Sequence, residues 1–142
     1  IILPKAPKPV GAYVPFKIVN KFVYISGQLP IDPQGELLKG KIGKQLNLED
    51  GRKAAYLCCL NIISQLNSAC ENNLETVKNC IKITGYVNST EDFNDQPKII
   101  NAASELIANI FEEKGKHTRA AVSVNSLPLG ASVEIDAIFE IK

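Results

Sequence analysis

Thr118-Arg119-Ala120-Ala121-Val122-Ser123-Val124-Asn125-Ser126-Leu127-Pro128-Leu129-Gly130-Ala131-Ser132-Val133-Glu134-Ile135-Asp136-Ala137-Ile138-Phe139-Glu140-Ile141 is the stretch on which the fold reading turns. Apolar and polar residues exchange with period two on both sides of a segment rich in Asn, Ser, Pro and Gly, the pattern of two strands about a turn. With the turn centred at Leu127 and Pro128, the strands pair as a hairpin, Ala121 opposite Glu134 and Val122 opposite Val133. One face then carries Ala120, Val122, Val124, Val133, Ile135 and Ala137 as core, and the other gathers Arg119, Ser123, Ser132, Glu134 and Asp136. Arg119 and Glu134 lie one diagonal step apart in this register, which admits two uses. They form a cross-strand ion pair worth less than about 1 kcal/mol if exposed, or Arg119 forks a substrate carboxylate while Glu134 takes a proton from water. In both uses the guanidinium would hold Glu134 ionised.

Upstream, Phe16–Val19 and Phe22–Ser26 are β-branched and aromatic runs joined by Asn20-Lys21, a link suited to a tight hairpin. The second run leads into Ser26-Gly27-Gln28-Leu29-Pro30, where either an ordinary bulge or a set of ligand-facing main-chain N–H groups fits the glycine and the stiff Leu-Pro pair. Before them, residues 1–15 hold four prolines and should run extended, with Val10–Tyr13 as the anchoring stretch. Tyr13 is either a ring covering a sheet edge or a site residue. Residues 31–47 read as a long surface connection with a turn at Asp32-Pro33-Gln34-Gly35.

From Leu48 the period becomes helical, with Glu49 and Asp50 in the first turn and Asn72 or Asn73 as a left-handed stop. Residues 77–87 alternate again, placing Val77, Ile81, Ile83 and Val87 on one face, and Gly85 admits a close neighbour. Gln96-Pro97 opens a second helix with a buried stripe of Ile99, Ala103, Leu106, Ile107 and Ile110, stopped by Gly115. Asn101 falls off that stripe and reads as a surface amide. The order strand, strand, helix, strand, helix, strand, strand predicts an α+β domain over residues 1–142, a mostly antiparallel sheet with two helices on one face. Its other face, part apolar, calls for self-association.

The 142 residues balance 16 Lys and Arg against 15 Asp and Glu, dispersed rather than massed, so nucleic acid is an unfavoured partner. Cys58, Cys59, Cys70 and Cys80 lack metal-ligand spacing and have one histidine, His117, for company, so no metal is expected. Three of the cysteines fall in one amphipathic helix, where Cys acts as a small hydrophobe, which points to a reducing, cytoplasmic compartment. No apolar run approaches the ~20 residues of a membrane span. The absence of Met points to a missing initiator, and a mitochondrial address is the alternative if a leader went with it.

Five stretches together resemble the RidA/YjgF family of imine and enamine deaminases, a family also known as L-PSP-type endoribonucleases: Pro9–Tyr13, Val23–Pro30, Gly85–Asn88, Ile100–Ala103 and the C-terminal stretch with its Arg, Leu127-Pro128 and Val133-Glu134-Ile135. Tyr13-Val14-Pro15, Asp95–Lys98 and Gly115-Lys116-His117-Thr118-Arg119 are similar to a longer branch of it. The resemblance implies a chorismate-mutase-like fold and a homotrimer with sites between subunits. It implies hydrolysis of 2-imino acids and their enamines, of the 2-aminoacrylate and 2-iminobutanoate type, to 2-keto acids and ammonia without a cofactor. Position by position, it implies that Arg119 binds the carboxylate, Glu134 orients water, Tyr13 joins them in catalysis, and Ser26, Gly27, Asn101 and Ala121 line the substrate. Ala121 stands where the family prototype has a Cys, and residues 31–47 are longer than the prototype's connection. The competing expectations are an endoribonuclease or translation inhibitor and a non-catalytic keto-acid binder.

Overall fold

The computed structural model describes residues 1–142. Two alternating runs form the hairpin β1 (Phe16–Val19) and β2 (Phe22–Gln28), with Asn20 at φ 56° in the turn, a conformation that asparagine tolerates better than most residues. Helix α1 (Leu48–Ala69) begins at a capping box: the Asn47 side chain accepts from the Asp50 amide, and the Asp50 carboxylate accepts from the Asn47 amide. Glu71 and Asn72, at φ 53° and 66°, turn the chain out of it. Then come β3 (Val77–Asn88), α2 (Gln96–Phe111), β4 (Thr118–Val124) and β5 (Val133–Ile141). The element order is the expected one.

The strand pairing corrects the expected C-terminal hairpin. The sheet order is β1-β2-β5-β3-β4, so β4 and β5 flank β3 and do not touch as neighbours. A helix connects β3 to β4, and a strand returning after a helical crossover lies parallel to the one it left. With that side of β3 filled, β5 pairs antiparallel on the other, and the sheet is mixed. The linker that resembled a hairpin turn spans from one side of β3 to the other. It is held to the 31–47 connection by Gly40 N–H donating to Gly130 C=O and Ser132 N–H donating to Leu38 C=O.

This topology also reverses the phase of β4 against the expected register. Arg119, Ala121 and Ser123 pair with Ile83, Gly85 and Val87, whose side of the sheet is covered by the helices. Val122 pairs with Tyr86 and is exposed. On β5 the expected phase holds, with Val133, Ile135 and Ala137 buried beneath the helices and Glu134 and Asp136 on the open face. In β3 a register shift between Cys80 and Lys82 puts Cys80, rather than Ile81, into the core.

Both helices pack on one face over a single cluster of buried side chains. At Gly85 the fit is close: a Cβ there would meet Ile100, at 3.1 Å from its Cγ2. The four cysteines are free and buried, and burial pushes the thiols of Cys58 and Cys59 up and that of Cys80 to about 12, so they act as packing groups. No helix is long and apolar enough to cross a membrane.

Candidate functional site

The N-terminal arm is placed by α1 rather than by residues 10–13, which are exposed. A proline-rich segment has few amides to donate but keeps its carbonyls, and α1 presents buried donors to them. Ser64 Oγ donates to Pro4 C=O at 2.7 Å, and Gln65 Nε2 donates to Pro7 C=O at 2.7 Å. Asn61 Nδ2 fixes the segment beyond β2 in the same way, through Leu29 and Ile31 carbonyls at 3.0 Å each. At the other end of the arm, Ser26 donates from Oγ to Val14 C=O and from its amide to Pro15 C=O. Arm, β2 and β5 thereby enclose a cleft of about 280 Å³ whose walls include Pro7, Tyr13, Gly27, Gln28, Pro128 and Glu134.

Glu134 is the acid of this cleft. Its carboxylate lies over Gly27, where a Cβ would stand 2.9 Å from Glu134 Cδ and closer still to Oε2. Glycine there gives the carboxylate its seat. The register of β2 against β5 shifts between Ile25 and Gln28, so the bulge expected as one alternative at Ser26-Gly27 is present. No protein donor or cation engages Glu134: it appears in none of the side-chain hydrogen bonds and in none of the four ion pairs, Arg52–Glu105, Lys78–Glu140, Lys98–Asp95 and Lys116–Glu113. Burial, and then the charge of Asp136 two residues along the same face, raise its pKa above the usual carboxylate range. Asp136 is raised chiefly by its own burial, partly offset by the Tyr86 hydroxyl at 3.1 Å and by Lys82. Burial and the neighbouring Asp136 push the Tyr86 phenol up in turn.

Arg119 stands elsewhere, which corrects the expected adjacency. It pairs with Ile83 and Glu134 with Tyr86, three positions along β3, so the two side chains leave opposite faces of the sheet with β3 between them. The guanidinium therefore does not hold Glu134 ionised. Instead it lies against α2, Nη1 donating to Ser104 Oγ at 3.1 Å and Nη2 to Pro97 C=O at 3.2 Å. Both acceptors are neutral, and no carboxylate pairs with it.

The remaining expected residues divide between these regions. Tyr13 and Gly27 share the cleft with Glu134. Ser26 backs it, its hydroxyl proton committed to Val14, and faces a neighbouring hollow with Tyr24 and Asp136. Asn101 is an exposed amide on α2, as its position off the stripe predicted. Ala121 is half-buried beside Gly85 on the Arg119 strand. The sequence reading missed Gln28, Asn61, Ser64 and Gln65, whose signal was present as polar residues on the otherwise apolar face of α1 and at the end of β2. No three His, Cys, Asp or Glu side chains converge on a geometry that could hold a metal ion.

Residues 1–140 match the profile of the family described as "YjgF/chorismate_mutase-like, putative endoribonuclease". The chain is 39% identical to Protein TCP17 of Trypanosoma cruzi over 142 residues, 99% of this chain and 88% of that one. It is 32% identical to the 2-iminobutanoate/2-iminopropanoate deaminase of Capra hircus over 136 residues, 94% of this chain and 83% of the relative. A crystal structure of a "putative endoribonuclease" from Shewanella oneidensis superposes with a TM-score of 0.95 at 32% identity, covering 99% and 93% of the two chains.

Proposed function

Because the chain belongs to the RidA/YjgF family, we propose that its cleft hydrolyses small 2-imino acids, and the enamines that tautomerise to them, to 2-keto acids and ammonia. The observation that carries this reading is Glu134: a half-buried carboxylate in a cleft, with lone pairs free of any protein partner and a raised pKa that strengthens it as a base. The family membership and the deaminase relative support the choice of reaction.

The chemistry asks for one oriented water, because an iminium carbon is already electrophilic. Glu134 accepts a proton from water as the water oxygen bonds to the imine carbon. The proton held by Glu134 passes to the carbinolamine nitrogen, the C–N bond breaks as the hydroxyl oxygen forms the C=O, and the hydroxyl proton returns to Glu134 and from there to the released ammonia. Tyr13 lines the cleft beside Glu134, and Gly27 leaves room for the carboxylate. The substrate carboxylate requires a cationic fork, and the cleft's own lining offers Lys8 but no Arg. Arg119 of the partner subunit supplies the fork in a homo-oligomer, for which the trimer implied by the family is the simplest arrangement. A site of this kind uses Glu134 from one copy and Arg119 from the next, which is consistent with their separation within one copy.

The family description and the Shewanella relative carry the second reading, an endoribonuclease. A formal charge of +1 gives RNA little to hold. The test mixes purified protein with 2-aminoacrylate generated in situ and follows ammonia and pyruvate. Release above the spontaneous rate is expected. No acceleration, together with cleavage of single-stranded RNA, would overturn the reading in favour of the nuclease.

A further inference from the structure

The sequence sets Gly115-Lys116-His117-Thr118-Arg119 in one run, and the structure folds two of these residues onto a third element. His117 Nδ1 lies 2.6 Å from Gly115 C=O, and His117 Nε2 lies 2.8 Å from Ser104 Oγ on α2. Ser104 Oγ is also the acceptor for Arg119 Nη1 at 3.1 Å. From this chain of contacts we infer that Ser104 and His117 are positioning residues for Arg119, holding its guanidinium against α2 in the orientation in which it meets a carboxylate.

The direction of each hydrogen bond follows from the chemistry of its ends. A carbonyl oxygen only accepts, so in the neutral ring the hydrogen sits on Nδ1 and Nε2 carries a lone pair. That lone pair takes the Ser104 hydroxyl proton, which turns the oxygen's own lone pairs toward Arg119. Arg119 has no proton to accept, so an oxygen presented this way is the partner it needs. The ring is anchored by Gly115, which is buried and so close to α2 that a Cβ would stand 2.8 Å from Ile107 C=O. Pro97 C=O holds Nη2, so both terminal nitrogens of the guanidinium are tethered on one side. The other three of its five N–H groups have no partner in the protein. Both oxygens that Arg119 meets are neutral, so positioning leaves the positive charge of Arg119 available to an anion.

This inference rests on the reading of Arg119 as the carboxylate fork, and the experiment separates the two. Deamination kinetics are measured for wild type, Arg119→Ala, Ser104→Ala, Ser104→Thr and His117→Asn, and the side-chain nitrogens of Arg119 and His117 are followed by NMR without substrate. Ser104→Ala and His117→Asn should each raise KM about tenfold with kcat nearly unchanged, as expected for one lost hydrogen bond that steadies a ground-state contact. Ser104→Thr keeps the hydroxyl and should restore KM, and Ser104→Ala should add nothing in the Arg119→Ala background. In the NMR arm, neutral His117 should be the Nδ1–H tautomer. The Arg119 Nη signals should be separate in wild type and averaged in Ser104→Ala. An Nε2–H tautomer, or an Arg119 whose motion ignores Ser104, overturns the relay whatever the activity. Wild-type kinetics in Ser104→Ala with an inactive Arg119→Ala also overturn it, whereas a fully active Arg119→Ala overturns the fork and leaves the relay to the NMR result.

Discussion

Under the N-terminal arm, Glu134 sits in a cleft with no donor to neutralise it; at the far edge of the sheet, Arg119 is tied to α2 by neutral oxygens with no acid to neutralise it. Each is the kind of group that a fold usually pairs, and the natural pair for each is the other. The sheet keeps them apart, on opposite faces and with β3 between. Had they met, the guanidinium would have lowered the pKa of Glu134 and blunted it as a base, and the carboxylate would have filled the fork. Separation within one copy preserves both, and the proposed site takes one from each of two copies.

The largest effect expected from breaking this division is at the acid. Glu134→Gln keeps the shape and removes the proton acceptor, and kcat should fall by roughly 10²–10⁴-fold with KM little changed, as steady-state ammonia release will show. Arg119→Ala should cost about 100-fold in kcat/KM, roughly 3 kcal/mol for a lost charged contact, and Arg119→Lys should restore little because a point charge does not reproduce the fork. Glycine substitutions sharpen the contrast between site and core. Gly85→Ala pushes a Cβ into buried Ile100 and should destabilise by about 1–3 kcal/mol in urea unfolding. Gly27→Ala meets instead the movable end of Glu134, so its stability should stay within about 1 kcal/mol of wild type while activity drops.

The smallest effect is on stability against pH. The pKa of Glu134 is raised on folding, so the folded state binds its proton more readily than the unfolded chain. Stability from this group is present below the ordinary carboxylate range and is lost as pH rises through the raised value. Glu134→Gln should therefore increase Tm at neutral pH, and the gain should vanish near about pH 4. An equal shift at both pH values would assign the change to packing rather than ionisation.

The sequence made some of this legible and hid the rest for identifiable reasons. Periodicity exposed every main helix and strand, because each buries one face of a regular element. It did not expose which strands pair. The period of β4 is the same beside β5 as beside β3, and only the intervening helix argued for a parallel neighbour. The supposed Arg119–Glu134 contact fell with that pairing. Residue chemistry marks Tyr13, Gly27 and Glu134 one by one, and only the family resemblance joins them in one site; they do share a cleft, but nothing in their spacing showed it. The arm was misread because prolines say where a chain is stiff and not what its carbonyls meet. The answer lay in Ser64 and Gln65, far along the chain. The capping box at Asn47 and Asp50 was readable from sequence and went unread behind the acidic first turn.

Mixing two inactive variants tests the division of labour most directly. Arg119→Ala and Glu134→Gln chains are unfolded together, refolded as a mixture, and assayed for deamination, with hetero-oligomers confirmed by native mass spectrometry. If each site takes Glu134 from one copy and Arg119 from the next, random assembly should leave about a quarter of the sites with both residues intact and recover a comparable share of wild-type activity. Confirmed hetero-oligomers with no activity beyond that of the two parents would contradict the shared site.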